Sequence, residues 1–299
     1  MRSALALFIT FTGIAISYGQ QPRTLKVFIS VDMEGVAGVV SVDQLMPGFF
    51  EYDRFRNFMT QETLAAMEGA RQAGATEFVI ADAHGNEQNL LIEQFPPDVR
   101  IVRGDPRHGG MMGGIDGSFD AAMFVGYHAS THNAKGVRAH TFSSARLTRV
   151  ALNGQPVTEG AWNAAIAGQF GVPVIFISGD DAAITEVRAA IGDVEAAETK
   201  RTLGFHAAET KTPEAAQRLI REKAAAAVRG LSGRKPYMVA TPVTVDISFK
   251  SVTPAEALSY LGRVFTRTDS HSVRFAAKDM MEASDILDFL MAYRLDLEP

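Results

Sequence analysis

The strongest constraint on the fold is an apolar segment near the N-terminus that ends in two carboxylates. Residues 25–31, LKVFISV, are apolar and β-branched enough to predict a buried parallel strand. Asp32 and Glu34 follow at once, and ligands of open α/β sheets bind beyond the carboxyl ends of the strands. Alternate positions of an extended segment point to the same side, so both carboxylates can share one cation. The alternative is a solvated turn that binds nothing.

Two later strands are predicted to end in a similar way. Residues 77–81 precede His84, and residues 121–125 precede His128. Helical segments between the strands indicate a parallel arrangement, which brings the strand ends to one edge of the sheet. Glu159, in the first turn of a predicted helix, is a fifth candidate, although it could simply oppose the helix dipole. Each histidine could likewise be an ordinary hydrogen-bonded loop residue.

The order of elements predicts an α/β protein with a mostly parallel sheet flanked by helices and a smaller C-terminal α+β domain. Further strands are predicted at 99–103, 146–152, 172–178, 238–249, 264–267 and 273–276. Helices are predicted at 52–72, 158–170, 182–191, 213–229, 254–262 and 279–293. The predicted domains are a metal-binding catalytic domain at 20–232 and the α+β domain at 233–299, since residues 230–236 are rich in Gly, Ser, Pro and basic side chains.

The N-terminus and the composition predict a location and exclude some partners. Residues 1–19 combine a positive start, an apolar run and small residues, which is typical of a secretory signal peptide. We therefore expect an exported protein, periplasmic or secreted, without stable membrane insertion after cleavage; an uncleaved anchor is the alternative. A net charge of -5 makes nucleic acid an unsuitable partner. Because the sequence has no cysteine, any metal must be bound by oxygen and imidazole.

Carboxylates together with imidazoles form a ligand set that suits zinc, or manganese or cobalt in its place. Five donors exceed the usual three protein ligands of a catalytic zinc, and two ions that share Asp32 account for the surplus. Two zinc ions lower the pKa of water between them, so the expected chemistry is hydrolysis by a metal-activated hydroxide. The remaining histidines lie in polar segments and are expected at the surface: His108, His132, His206 and His271.

Several short motifs occur in a fixed order along the chain. They are SVDMEG at 30–35, DAH at 82–84, GYHA at 126–129, VRAH at 137–140, PVTE at 156–159 with NA at 163–164, VPVIFISGDD at 172–181 and AAKDM at 276–280. Together they resemble the zinc-dependent D-aminopeptidases of the dipeptide-transport-operon type, which carry an S-x-D-x-E-G signature. The resemblance covers nearly everything after the predicted signal peptide.

The resemblance implies an aminopeptidase that releases N-terminal D-amino acids, of the D-Ala type, from short peptides or amides. It also implies two zinc ions per chain bridged by Asp32. The other ligands would form two pairs, Glu34 with His128 and His84 with Glu159. His140 matches the histidine that the family places beside the metals as a catalytic residue. The family assembles as two stacked five-membered rings, so the resemblance implies a homo-oligomer and specifically a decamer.

Two other functions are compatible with the residues alone. A metal-dependent amidase or phosphoesterase could use the same site, with Arg138 or Lys135 near His140 available to bind a phosphate. A non-catalytic periplasmic protein that binds a metal or a peptide is the second alternative. Such a binding protein, however, has no need of an uncoordinated histidine beside its metals.

Overall fold

The structure, a computed structural model, describes residues 24–293, and the predicted signal peptide lies outside them. The strands of this part are β1 (Lys26–Val31), β2 (Glu77–Asp82), β3 (Arg100–Val102), β4 (Ala121–Tyr127), β5 (Leu147–Leu152), β6 (Gln155–Pro156), β7 (Val174–Asp180), β8 (Glu195–Gly204), β9 (Ala207–Thr210), β10 (Val243–Phe249), β11 (Thr266–Arg267) and β12 (Ser272–Ala277). The α-helices are α1 (Tyr52–Gln72), α2 (Glu159–Gln169), α3 (Asp181–Ile191), α4 (Pro213–Arg229), α5 (Val252–Ser259) and α6 (Met280–Ala292). None of the helices within 24–293 combines the length and apolar character needed to cross a membrane.

The first sheet has seven strands in the order β3-β2-β1-β4-β7-β8-β9. All neighbouring strands in it pair in parallel except β8 and β9, which are antiparallel. On β1, Val27 and Ile29 pack in one core with α1 and α4, whereas Phe28 packs on the other face in a core with α2. Burial on both faces explains why β1 is a continuous apolar run. The predicted α/β class, a mostly parallel sheet flanked by helices, is confirmed.

The second sheet has five antiparallel strands in the order β11-β12-β10-β5-β6. Its strands β10, β11 and β12 alternate with α5 and α6 in the C-terminal part of the chain, but β5 and β6 belong to residues 147–156. The sheet therefore combines strands from both sides of the predicted boundary between residues 232 and 233. Val245 and Ile247 of β10 belong to the same core as Phe28, so the two sheets pack together.

The element bounds differ from the prediction mainly where apolar residues are sparse. The bounds of α1 and α4 are as predicted, whereas β8 and β9 were not predicted at all. The β8 segment, EAAETKRTLG, is largely polar and lies between β7 and β9 at the side of the sheet. Strand β10 begins at Val243 rather than at the predicted Met238, because Pro242 has no N–H group to donate to a neighbouring strand.

Candidate metal centre

The predicted ligands come from three strands that are neighbours in the sheet. β1 pairs in parallel with β2 on one side and with β4 on the other, so all three end at the same edge. Asp32 follows β1, His84 follows β2 and His128 follows β4. The convergence that the strand ends predicted is therefore present, and Glu34 joins it from the segment after β1.

Two glycines allow the segment after β1 to lie directly against the end of β4. The Gly35 N–H donates to the carbonyl oxygen of Gly126 over 2.7 Å. A Cβ on Gly35 would lie 2.1 Å from the Tyr127 carbonyl oxygen, and a Cβ on Gly126 would lie 2.2 Å from that of Asp32. Gly126 also has a φ of 74°, which favours glycine. The glycines of the SVDMEG and GYHA motifs are thus required for the ligands to approach each other.

Glu159 enters the centre from the N-terminus of α2. Thr158 caps this helix, and its hydroxyl accepts a 2.8 Å hydrogen bond from the Ala161 N–H. The Glu159 carboxylate is held through Oε1, which accepts from the Phe142 N–H over 2.6 Å. Its Oε2 lies 3.3 Å from Nε2 of His128. The side chain therefore belongs to the centre and does more than oppose the helix dipole.

Asp32 lies between two imidazoles and contacts each with a different oxygen. Its Oδ1 is 3.3 Å from Nδ1 of His84, and its Oδ2 is 3.3 Å from Nε2 of His128. Nδ1 of His84 is also 2.9 Å from Oε2 of Glu34. All five predicted ligands are buried, with at most 8% of any residue exposed. The structure thus brings them together in one enclosed cluster.

The shortest contacts group the ligands differently from the resemblance. They pair Glu34 with His84 and Glu159 with His128, whereas the resemblance implied Glu34 with His128 and His84 with Glu159. Asp32, Glu34 and His128 also offer ligand atoms that all lie within 4.8 Å of one another. The division of the ligands between two ions therefore stays a prediction.

Backbone carbonyls determine which nitrogen of each imidazole faces the carboxylates. Nε2 of His84 lies 2.9 Å from the Leu45 carbonyl oxygen, and Nδ1 of His128 lies 3.0 Å from that of Ala129. A carbonyl oxygen only accepts, so these two nitrogens carry protons. In the neutral rings, the lone pairs of His84 Nδ1 and His128 Nε2 then face carboxylate oxygens. Lone pairs converge in this way around a bound cation, and this second hydrogen bond is the usual support of a metal-binding histidine.

Three buried ligand atoms lack a hydrogen bond of acceptable geometry. They are Oδ2 of Asp32, Oε2 of Glu34 and Nε2 of His128. Buried polar atoms nearly always have a hydrogen-bond partner, so such a concentration needs an explanation. Carboxylate oxygens and imidazole nitrogens are the donors that bind zinc in catalytic sites. The residues of this centre therefore fit a divalent cation of the zinc type.

The electrostatics of the cluster favour positive charge between the carboxylates. Burial alone would lower the pKa of His84, but Glu34 and Asp32 raise it well above its usual range. Burial likewise opposes a rise in the pKa of His128, which Glu159 and Asp32 nevertheless raise. In return the imidazoles overcome burial and hold the pKa of Glu34 and Glu159 below the usual range. A bound divalent cation would supply this positive charge.

His140 lies at the edge of the cluster, and its ring stacks on His128 with centroids 4.1 Å apart and an interplanar angle of 10°. Nδ1 of His140 lies 2.7 Å from the Arg138 carbonyl oxygen, so it carries a proton. Nε2 lies 4.0 Å from Oε1 of Glu34 and 3.9 Å from Oε1 of Glu159. Burial and the neighbouring His128 lower the pKa of His140. The neutral ring therefore presents a basic Nε2 to the centre.

Comparison with known proteins agrees with this geometry. The model of peptidase family M55, described as D-aminopeptidase, matches residues 25–289. The chain belongs to this family. A D-aminopeptidase of Bacillus subtilis (strain 168) is 33% identical over 259 residues, which cover 87% of this chain and 94% of that protein. A solved structure described as the Zn-dependent D-aminopeptidase DppA from Bacillus subtilis, a self-compartmentalizing protease, has a TM-score of 0.85 and 31% identity, covering 92% of this chain and 100% of that chain.

The remaining histidines of this M55 peptidase lie away from the cluster. His108, His132 and His206 are exposed, and His271 is half-buried. Within residues 24–293, the groups of side chains that could hold a metal ion contain His128 and His140 but none of these four.

A buried hydroxyl network beneath the ligands was not assigned a role from sequence. The Tyr127 hydroxyl lies 2.7 Å from Oγ of Ser30 and accepts a 2.8 Å hydrogen bond from Nδ2 of Asn163. Ser30 precedes Asp32 near the end of β1, and Tyr127 precedes His128 at the end of β4. Asn163 follows Glu159 by one turn of α2. The serine of the SVDMEG motif and the asparagine of the NA motif thus connect the elements that carry the ligands. The sequence does not indicate this connection, because it depends on how the elements pack.

Proposed function

We propose that this M55 family member is a zinc-dependent aminopeptidase that releases N-terminal D-amino acids, of the D-Ala type, from short peptides or amides. The observation that carries this proposal is the convergence of five buried ligands whose imidazole lone pairs face carboxylate oxygens. The zinc dependence and D-amino-acid substrates of the similar Bacillus subtilis proteins support the choice of metal and substrate.

We further propose two zinc ions per chain, with Asp32 shared between them. Its two oxygens contact different imidazoles, which suits a ligand that serves two ions. The contact distances favour His84 with Glu34 at one ion and His128 with Glu159 at the other. Zinc held by these residues would supply Lewis acidity for the substrate carbonyl and for the attacking water.

The protein itself contributes a proton carrier and the carboxylates that lie near it. His140 can take a proton at Nε2 from the attacking water and later give a proton to the amine that leaves. Its Nδ1 hydrogen bond to the Arg138 carbonyl keeps the ring in the orientation that this transfer needs. The buried carboxylates of Glu34 and Glu159 lie 3.9–4.0 Å from Nε2, where they stabilise the ring when it carries the transferred proton.

The assembly and the location are separate parts of the proposal. The similar DppA structure is described as a self-compartmentalizing protease, and on this basis we propose that this chain forms a homo-oligomer. The specific form that we propose, a decamer, rests on the family resemblance alone. Residues 1–19 have the pattern of a signal peptide, and we propose an exported protein on that basis alone. Size determination and fractionation of the producing cells test these two points.

The test of the proposed reaction begins with metal content and substrate stereochemistry. We expect the purified protein to contain about two zinc ions per chain. It should cleave D-Ala amides and dipeptides but not their L-Ala counterparts, and it should lose this activity on chelation and regain it with zinc. Two metals without peptidase activity would instead favour a different metal-dependent amidase or a phosphoesterase.

A pair of histidine variants sharpens this test. His84→Ala removes an imidazole that contacts both Asp32 and Glu34, so it should lose zinc and activity together. His271→Ala changes a half-buried histidine in the turn between β11 and β12 and should retain both. A full complement of zinc in His84→Ala would contradict the ligand assignment.

A further inference from the structure

The backbone that carries Glu34 is bound by a buried lysine from another part of the sheet. Lys200 of β8 is only 2% exposed. Its Nζ donates hydrogen bonds to three carbonyl oxygens of the segment after β1, those of Glu34, Val36 at 3.0 Å and Val39 at 2.6 Å. An ammonium group has three donors, and here each has its own acceptor. The lysine therefore holds three carbonyls of residues 34–39 around one point.

Two further buried polar side chains bind the same segment. Thr199, next to Lys200 on β8, donates from Oγ1 to the Gly35 carbonyl oxygen over 2.6 Å. Glu62 of α1 accepts a 2.9 Å hydrogen bond at Oε1 from the Ala37 N–H. Both side chains have no measurable exposure. We call Glu62, Thr199 and Lys200 the loop brace, because together they hold the peptide groups of residues 34–39 from two sides.

A brace of this kind is costly if its only purpose is stability. Burying an ammonium group carries a desolvation penalty, and a well-packed apolar side chain of similar size often stabilises a fold as well or better. The loop brace is, however, well suited to hold the backbone on either side of a ligand. A displacement of the backbone at Glu34 would take its carbonyl away from Lys200 and would also move the Cα that carries the carboxylate facing His84.

We propose that Lys200 is a positioning residue of the metal centre, which sets the direction of the Glu34 carboxylate through the hydrogen bond to the Glu34 carbonyl oxygen. The inference rests on the proposed zinc-dependent function. Lys200 does not touch the substrate, and its side chain is directed at backbone oxygens rather than at the ligand atoms. Through these hydrogen bonds Lys200 acts on the geometry of the segment 34–39, and its charge also interacts with the carboxylates of Glu34 and Asp32.

The variant Lys200→Met tests this role, because methionine keeps the length of the side chain and removes the three donors. Residues that support metal ligands typically change metal affinity about 10- to 100-fold when they are replaced, and we expect a rise of that size in the zinc dissociation constant. Chelator competition on the metal-free full-length protein measures this affinity. The absorption spectrum of the cobalt(II)-loaded protein should also shift, since it reports ligand geometry directly.

Lys235→Met is the matched control, because it makes the same change at an exposed lysine. It should bind zinc and cobalt as the unchanged protein does. If Lys200→Met also has the unchanged zinc affinity and cobalt spectrum, Lys200 only stabilises the fold and the inference is wrong, whatever the melting temperature does. If the unchanged protein itself binds no zinc, the proposed zinc-dependent function is wrong, and so is the inference that rests on it.

Thr199→Val provides a second test that does not depend on Lys200→Met folding. Valine has nearly the same shape as threonine and removes the hydroxyl, which lies 2.6 Å from the Gly35 carbonyl oxygen and 3.0 Å from that of Gly179. We expect the zinc dissociation constant to rise about threefold to tenfold, which corresponds to the loss of one hydrogen bond. If Lys200→Met does not fold and Thr199→Val binds zinc with unchanged affinity, the loop brace does not position the ligand.

Discussion

Acidic side chains gather at two places in this molecule, the metal centre and a groove beside α6. In the centre, Asp32, Glu34 and Glu159 each have an oxygen within 3.3 Å of an imidazole nitrogen. The second place, which we call the α6 groove, is lined by residues 106–108 with Asp285, Asp288, Phe289, Ala292 and Tyr293. Arg107 and His108 also line this groove, and Nδ1 of His108, whose side chain is 73% exposed, lies 2.6 Å from Oδ2 of Asp285.

Asp32 and Asp288 share one feature and differ in another. Both have a buried Oδ2 without a hydrogen-bond partner. Around Asp32, two imidazole lone pairs and two more carboxylates converge, which is an arrangement for a cation. Around Asp288, burial and then the neighbouring Asp105 and Asp285 raise its pKa to about 7. Burial and Glu34 raise the pKa of Asp32 as well, but there His128 and His84 oppose the rise. An unpartnered carboxylate oxygen therefore indicates a metal site only where other electron-pair donors meet it.

The largest expected effect comes from making the same substitution at these two aspartates. Asp32→Asn places a neutral amide between His84 and His128 and should remove bound zinc. We expect kcat/KM to fall at least about 10⁴-fold, because the metal provides most of an enhancement that typically exceeds about 10⁶-fold. Asp288→Asn should retain zinc and kcat/KM. Metal analysis and steady-state kinetics on both variants check this, and equal zinc contents would remove the distinction between the two places.

The second largest effect concerns the histidines that accompany each acidic group. His140→Asn removes the basic Nε2 that faces Glu34 and Glu159, so kcat should fall about 10²- to 10³-fold, as for loss of a general acid–base group. KM and zinc content should change little. His108→Asn in the α6 groove should leave all three quantities unchanged. Loss of zinc from His140→Asn would mean that His140 is a ligand rather than a proton carrier.

Sequence reasoning predicted that Asp32, His84 and His128 converge because the signal for it is local. Asp32, His84 and His128 each come directly after an apolar strand, and parallel strands must end at one edge. The bounds of α1 and α4 were also predictable, since Gly74 follows the first and Pro213 begins the second. The position of His140 beside the centre had no such signal, and only the resemblance to the D-aminopeptidases singled it out.

The parts that sequence reasoning missed depend on contacts between distant residues. Nothing in the polar segment EAAETKRTLG marks Thr199 and Lys200 as buried, because their burial comes from β7 and the segment after β1. The pairing of β5 with β10 joins residues about a hundred positions apart, and no pattern within either strand specifies that partner. The loop brace and the strand order of the second sheet could therefore not be predicted from strand and helix periodicity.

The smallest expected effect is a pH-dependent gain in stability from Asp288→Asn. The pKa of Asp288 is about 7 in the folded protein, against about 3.9 in an unfolded chain. Between these values the folded state binds more protons than the unfolded state, so Asp288 lowers the free energy of unfolding as pH rises from about 4 to 7. The variant Asp288→Asn does not show this fall in the free energy of unfolding. We expect it to be more stable by on the order of 1 kcal/mol at pH 8, a modest value because Asp288 is partly exposed and screened.

Denaturant titrations of the metal-free protein at pH 4.5 and pH 8 measure this difference, since metal binding would otherwise dominate the stability. The free energy of unfolding of Asp288→Asn should exceed that of the unchanged protein only slightly at pH 4.5 and by the whole expected amount at pH 8. Asp193→Asn, which changes a side chain that is 86% exposed, should show no such dependence. A variant that is less stable than the unchanged protein at pH 8 would mean that the Asp288 carboxylate is stabilised by its charge, as those of Glu34 and Glu159 are, and the contrast between the two acidic groups would then disappear.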